Sequence, residues 1–257
     1  MATIEVAWGT VRASLGQLSF SDIRDVAGLA GVDVTELSHL QQKSGNGVTK
    51  DQLRSAIDGL VGLMEADERR RFVMLVAEEV LSRRPNLCEE LEEKLARHGW
   101  GLVDNRLIPL ELFDPAELTS LPEGPREDLV KAALRFRDGD LSGAIAAACG
   151  AVDTAVAAIY DEYQLGEPAQ SFQEGCNRAV AVVMDLDAGL RELGWDADDV
   201  KIFANNFKGA LTRGAYVMQT LRSKMGDVHG SKPVLKPLVF DVLKWAELFV
   251  RTLTRPQ

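Results

Sequence analysis

The feature that most constrains this chain is the helical spacing of apolar residues through its second half. Leu141, Ile145, Ala148, Val152, Ala155, Ile159 and Tyr163 recur every three or four residues. So do Phe172, Cys176, Ala179, Val183 and Leu186, then Phe203, Phe207, Ala210, Gly214, Val217, Leu221 and Met225. Leu238, Val242, Trp245, Phe249 and Leu253 close the series. Such steps put one apolar stripe on each helix, and long stripes are best covered by other helices. Convincing strand alternation is scarce. The spacing predicts an all-α chain whose C-terminal half is an antiparallel helical bundle. Alanines crowd the stripe that starts at Leu141, so a neighbouring helix is expected to approach it closely.

Punctuating residues mark the ends of these elements. A short helix is predicted from near Arg126 to Gly139, and a long one follows from Leu141. A third runs roughly over residues 168–193 and is stopped by Gly194. Asp196, Asp198 and Asp199 open a fourth, where acidic side chains suit the positive end of the helix dipole. In the first half, residues 21–42 read as one or two short helices broken near Gly31, and Ser44, Gly45, Asn46 and Gly47 read as a turn. Thr49 with Gln52 three residues on has the spacing of a capping box. It opens a helix carrying Leu53, Ile57, Leu60 and Met64. Another carries Phe72, Leu75, Val76 and Val80 and ends before Pro85. Residues 89–97 form a charged helix that stops at Gly99. Pro109, Pro115, Pro122 and Pro125 then interrupt the pattern. This stretch reads as a connector with at most short elements, including a small hairpin around Asp104 and Asn105. The reading is of two domains, a small helical one with the connector at 1–120 and the bundle at 121–257.

Composition narrows the function classes. A hydrophobic share of 46% supplies a sizeable core, and a charged share of 26% is ordinary for a folded protein. A net charge of -10 argues against a protein that coats nucleic acid over its whole surface. The charge is uneven, however. Residues 201–257 carry ten Lys/Arg against three Asp/Glu, and the rest carries 19 against 36. A polyanion is expected to meet the basic rear; the other reading is that the rear neutralises an acidic neighbour. Cys88, Cys149 and Cys176 are few and include no CxxC pair, so neither a disulfide framework nor a zinc site is expected. A reducing compartment fits. No secretory signal is visible at the N-terminus, and no apolar run approaches the ~20 residues that cross a bilayer. The expectation is a cytoplasmic protein with no membrane partner.

Familiar catalytic motifs are missing: there is no P-loop, no GxGxxG after a strand and no G-x-S-x-G. The only histidines are His39, His98 and His229, which excludes a multi-histidine metal site. Asp185 with Asp187, and Asp198 with Asp199, suit a solvated helix face and N-terminal capping better than a divalent ion. No metal and no cofactor is expected. His39 and His98 are isolated, and the first half holds no catalytic constellation.

What remains is Leu221-Arg222-Ser223-Lys224-Met225-Gly226-Asp227-Val228-His229-Gly230. On a continuous helix, seven residues advance ~10.5 Å and nearly two turns, so Arg222 and His229 would project from one face. Gly226 can loosen such a helix, and Gly230, with Pro233 soon after, is a natural terminator. His229 would stand at the negative helix end beside Asp227. Both favour the imidazolium and hold its pKa near neutrality, which suits general acid–base work. Arg222 can grip a phosphate through two parallel hydrogen bonds. The plainer reading of the same residues is a set of surface cations and a capping histidine.

An Arg, a small polar residue and a His after six intervening positions resemble the signature of the HEPN ribonuclease superfamily. The surroundings are similar to its abortive-infection C-terminal (Abi-C) branch: Arg222, Gly226, His229 and Gly230 match, and Ser223 stands where the branch usually has Asn. Asp140-Leu141-Ser142-Gly143-Ala144-Ile145 followed by Asp153 resembles the family's first long helix, where an acidic residue often sits near this position. Lys208-Gly209-Ala210 resembles the small-residue patch ahead of the signature. The resemblance covers residues 126–257. It implies a HEPN-like bundle and a metal-independent endoribonuclease of an antiphage or toxin-type system, with RNA as substrate. Arg222 and His229 would be catalytic, in a site pooled from two chains of a homodimer. The 2′-OH would attack the adjacent phosphorus, His229 would move the proton and Arg222 would stabilise phosphoryl charge; DNA would not be cut. Ser223, Lys224, Asp227, Asp153 and Asn206 would support the site, and Lys208, Arg213 and Lys232 would hold the RNA backbone. The first half would sense a trigger or bind a regulatory partner. Two alternatives stay open: a non-catalytic HEPN-like module that binds nucleotide or nucleic acid or mediates assembly, and a purely helical adaptor.

Overall fold

The structure, a computed structural model, describes residues 4–42, 47–184, 187–227 and 232–254. The expected turn at 44–47 lies outside these residues except for Gly47. Among the described residues the chain is all-α apart from one two-stranded hairpin. It forms two compact units, Met1–Glu111 and Leu112–Gln257. The first part of the proline-rich segment belongs to the first unit and the remainder to the second.

In the first unit a 3-10 turn at Ile4–Ala7 leads into α1 (Trp8–Leu15), α2 (Phe20–Leu29), α3 (Lys50–Leu63), α4 (Ala66–Arg83) and α5 (Cys88–Ala96). Local chemistry sets the ends. Ser19 and Asp22 form a capping box on α2, and Thr49 and Gln52 form the expected one on α3. Gly31 and Gly99 take positive φ where α2 and α5 finish. The core runs along α4, where Phe72, Val73, Val76, Ala77, Val80 and Leu81 are buried. Trp8 meets Phe72 edge to face at 5.4 Å, while its Nε1 donates to Asp58 at 3.0 Å.

The hairpin is real and buried: β1 (Trp100–Val103) pairs antiparallel with β2 (Arg106–Pro109), Val103 opposite Arg106. Asp104 and Asn105 both take positive φ, as a two-residue hairpin turn requires. Glu78, buried on α4, fixes it by accepting from the Leu107 amide at 3.2 Å and the Arg106 guanidinium at 3.1 Å.

The second unit holds α6 (Pro115–Thr119), α7 (Glu123–Arg137), α8 (Leu141–Glu162), α9 (Phe172–Val183), α10 (Asp187–Glu192), α11 (Ala197–Met225) and α12 (Lys236–Thr254). Helix directions follow from paired positions. Added Cβ atoms place Gly143 against Arg135 and Gly124 against Thr154, so α7 and α8 are antiparallel. Cys149 faces the Met218 carbonyl and, one turn on, Asp153 faces Arg222, so α8 and α11 are parallel. Gly214 lies under the Trp245 ring, and Leu221 shares a groove with Leu238, so α12 runs back along α11.

Three readings of the sequence change. The single helix expected over 168–193 is two, because the Met184 backbone (φ -90, ψ 87) leaves the helical region. β-branched Val180, Val182 and Val183 weaken the helix just before that point. Second, α8 is long and apolar enough by length and composition to cross a membrane, with 56% of its apolar window buried in the protein. Its apolarity comes largely from alanine, and Ala144, Ala148, Ala151 and Ala155 are fully buried where neighbouring helices cover them. The third change concerns the end of α11 and bears on the site.

Candidate active site around Arg222 and Asp153

Asp196 caps α11 by accepting from the Asp198 and Asp199 amides, and the helix then continues for 29 residues. It ends at Met225, not at Gly230. Gly226 is the cap, with extended backbone (φ -74, ψ 164) and its amide bonded to the Arg222 carbonyl at 3.0 Å. A Cβ on Gly226 would press against that same carbonyl, so the close return favours glycine. The continuous helical face expected for Arg222 and His229 is therefore lost. His229 and Gly230 themselves lie outside the described residues. The Lys232 amide donates to the Lys224 carbonyl at 3.0 Å.

Arg222 stands in the last turn of α11 and donates to Asp153 on α8 at 2.6 Å. Both side chains are partly open to solvent, at 43% and 48% exposure. Burial pulls the Arg222 pKa down, but the hydrogen bond and charge of Asp153 outweigh it and keep the guanidinium more firmly protonated than usual. Beneath the pair lie two free thiols, Cys149 and Cys176. Burial pushes each up to about 12; Arg222 opposes the shift at Cys149, and Asp153 adds to it at both. Neutral thiols at this depth act as packing groups, not nucleophiles.

The remaining predicted residues separate into groups. Ser223 and Lys224 are exposed beside Arg222. Asp227 is exposed and pairs with Arg135 of α7 at 3.0 Å, so its carboxylate ties the end of α11 to the α7–α8 corner. Arg213 and Asn206 precede Arg222 by nine and sixteen residues, which places both on roughly the opposite side of α11. Lys208 is nearer to the Arg222 side but about 21 Å along the axis. Lys232 is exposed at the return of the chain. The structure thus gathers Arg222, Asp153, Ser223, Lys224 and Lys232 at one end of α11, and it leaves Asn206, Lys208 and Arg213 along the shaft. Among the described residues no group of three His, Cys, Asp or Glu could hold a metal ion.

Sequence reasoning missed Arg135, which has no local signal because its partner is 92 positions away. It also missed a groove of about 410 Å³ between α8 and the start of α9, lined in part by Asp153, Tyr160, Asp161 and Phe172. The eight-residue step between two aspartates on one predicted helix was the available sign. Compared with protein-family models, with curated proteins and with solved structures, the chain matches none.

Proposed function

We propose that this protein is a metal-independent endoribonuclease of the HEPN type, acting in an abortive-infection or toxin-type response. The single observation that carries the reading is the Arg222–Asp153 pair. A half-open arginine at the end of a basic helix is oriented by an acidic residue on the bundle's first long helix, the position where the resemblance calls for one. A guanidinium fixed on one side by a carboxylate presents its other donors in a set direction, which suits a phosphodiester. In the reaction the ribose 2′-OH attacks phosphorus, His229 moves the proton and Arg222 offsets charge on the phosphoryl oxygens. The Lys232 amide bonds to the Lys224 carbonyl, two residues from Arg222 in the chain. A second copy of the chain, as the resemblance implies, would complete the site. The cell compartment of this reading is the cytoplasm.

A second reading has its own support. Ile202, Phe203, Tyr216 and Val217 are large apolar residues left exposed on α11, which favours a non-catalytic assembly module. One experiment separates the two. Purified wild type, Arg222→Ala and His229→Ala are incubated with RNA, and products are examined for 2′,3′-cyclic phosphate ends. The nuclease reading expects cleavage by wild type alone and growth arrest on its expression. Equal persistence of RNA with all three proteins, when all remain folded and wild type associates, leaves the assembly reading.

A further inference from the structure

We propose that two copies of the chain associate through α11, paired antiparallel about Ala210. The bundle buries one face of this helix, with Leu211, Gly214, Ala215 and Met218. A second apolar line is left outside it: Phe203, Ala210 and Val217, seven residues apart, with Phe203 39% and Val217 45% exposed and Ala210 exposed between them. Seven residues advance a helix about 10.5 Å and nearly two turns, so the three side chains form one seam. A seven-residue apolar repeat on the outside of a helix is the pattern that another helix covers.

Three further observations select the same helix of a second copy as the occupant. First, the line is self-complementary under a two-fold axis at Ala210: Phe203 and Val217 lie equally far from it, so each meets the other's equivalent. Second, that meeting is of knob and groove. Phe203 is braced between Trp195, at 5.6 Å, and Phe207, at 5.9 Å. Val217 lines a groove of about 300 Å³ with Leu221, Leu238 and Trp245. Apolar anchors seated in a groove are how one helix recognises another. Third, charge matches in the same register. Exposed Asp199 near the start of α11 and exposed Lys224 near its end lie on the seam side, and reversal brings them within a turn of one another along the paired axes. Arg213 falls opposite the other copy's Phe207, where a guanidinium stacks on an aromatic face.

The pairing names the face and register that the assembly reading leaves open, and it rests on none of the nuclease chemistry. In it the two Arg222 side chains stand about 36 Å apart along the axes and point off the seam. The test reads mass, not cleavage, on the full chain. Sedimentation equilibrium should give a dimer for wild type. Val217→Glu should raise the dissociation constant about ten-fold or more and Lys224→Glu several-fold, with far-UV circular dichroism unchanged. Asp199→Lys combined with Lys224→Glu should recover most of the second loss. In a Cys88→Ser background, Ala210→Cys should form a disulfide-linked dimer on mild oxidation, and Tyr216→Cys, on another side of α11, should not. A wild-type monomer at high micromolar concentration would overturn the proposal. So would a dimer that Val217→Glu leaves intact, a charge swap that recovers nothing, or cross-linking at Tyr216→Cys equal to that at Ala210→Cys.

Discussion

Arg222 and Asp153 are 69 residues apart in the chain, yet their side chains meet at 2.6 Å across α11 and α8. An ion pair this exposed contributes little to stability, about 0–1 kcal/mol. Asp153→Asn should therefore leave the urea midpoint nearly unchanged. If the pair orients Arg222 for RNA, the same change should lower kcat about ten- to a hundred-fold with little effect on KM, because an interaction made mainly in the transition state is lost. Single-turnover cleavage assays on Asp153→Asn and Arg222→Lys check this. Lysine keeps the charge but not the fork, so the second variant should also be impaired.

The buried thiols predict a pattern of reactivity. Cys149 and Cys176 are pushed up to about 12 by burial, whereas Cys88 is half-buried and raised first by burial and then by Glu92 and Glu89. At pH 8 a thiol at about 12 holds on the order of a thousandfold less thiolate than one at the usual 9.0. Iodoacetamide should label Cys88 first in the native protein and all three only after unfolding. The linkage has a definite sign. Folded-state values above the unfolded one mean that the thiols' contribution is complete below about pH 9 and is lost as pH rises toward 12. Replacing both with alanine should flatten the alkaline limb of a stability-versus-pH curve.

Glu78 is the polar anchor of the hairpin. Glu78→Ala removes a carboxylate that accepts from the buried Leu107 amide, which costs about 1–3 kcal/mol. Glu78→Gln keeps a carbonyl oxygen facing that amide and should cost less. Urea unfolding of the two variants, followed by far-UV circular dichroism, gives the order.

Gly214 and Gly209 make a matched pair on α11. A Cβ at 214 would overlap the Trp245 ring, while one at 209 meets nothing within 4 Å. Overpacking costs about 1–3 kcal/mol, and helix propensity returns at most about 1 kcal/mol. Gly214→Ala should therefore lower the melting temperature and Gly209→Ala should hold or raise it, as differential scanning calorimetry would show.

The elements most legible in the sequence are those whose chemistry closes within a turn. Thr49 with Gln52, Asp196 with the amides at 198 and 199, and the positive-φ pair Asp104 and Asn105 each find their partners within a few positions. The apolar stripes of α8 and α12 were equally plain, because burial against other helices requires their period. That of α11 was not: Phe203, Ala210 and Val217 of the expected stripe are exposed, and the buried face is instead Leu211, Gly214, Ala215 and Met218. The split between α9 and α10 and the early end of α11 were not. A 3.6-residue pattern runs through a break without a change of phase, and Gly226 reads as a loosening rather than a stop until its amide is seen folded back on Arg222.

The sequence by itself determined the helical class and the main caps and turns, since each is encoded in residue type and short-range spacing; Arg222 was a candidate from its spacing to His229, and Asp153 from the family resemblance. Only the tertiary structure decided that Arg222 takes Asp153 as its partner and that Asp227 is engaged by Arg135. It alone also opened the groove between Asp153 and Asp161. Those facts depend on how helices lie against one another, and that is set by the summed fit of many small contacts, of which no single stretch of chain carries a record.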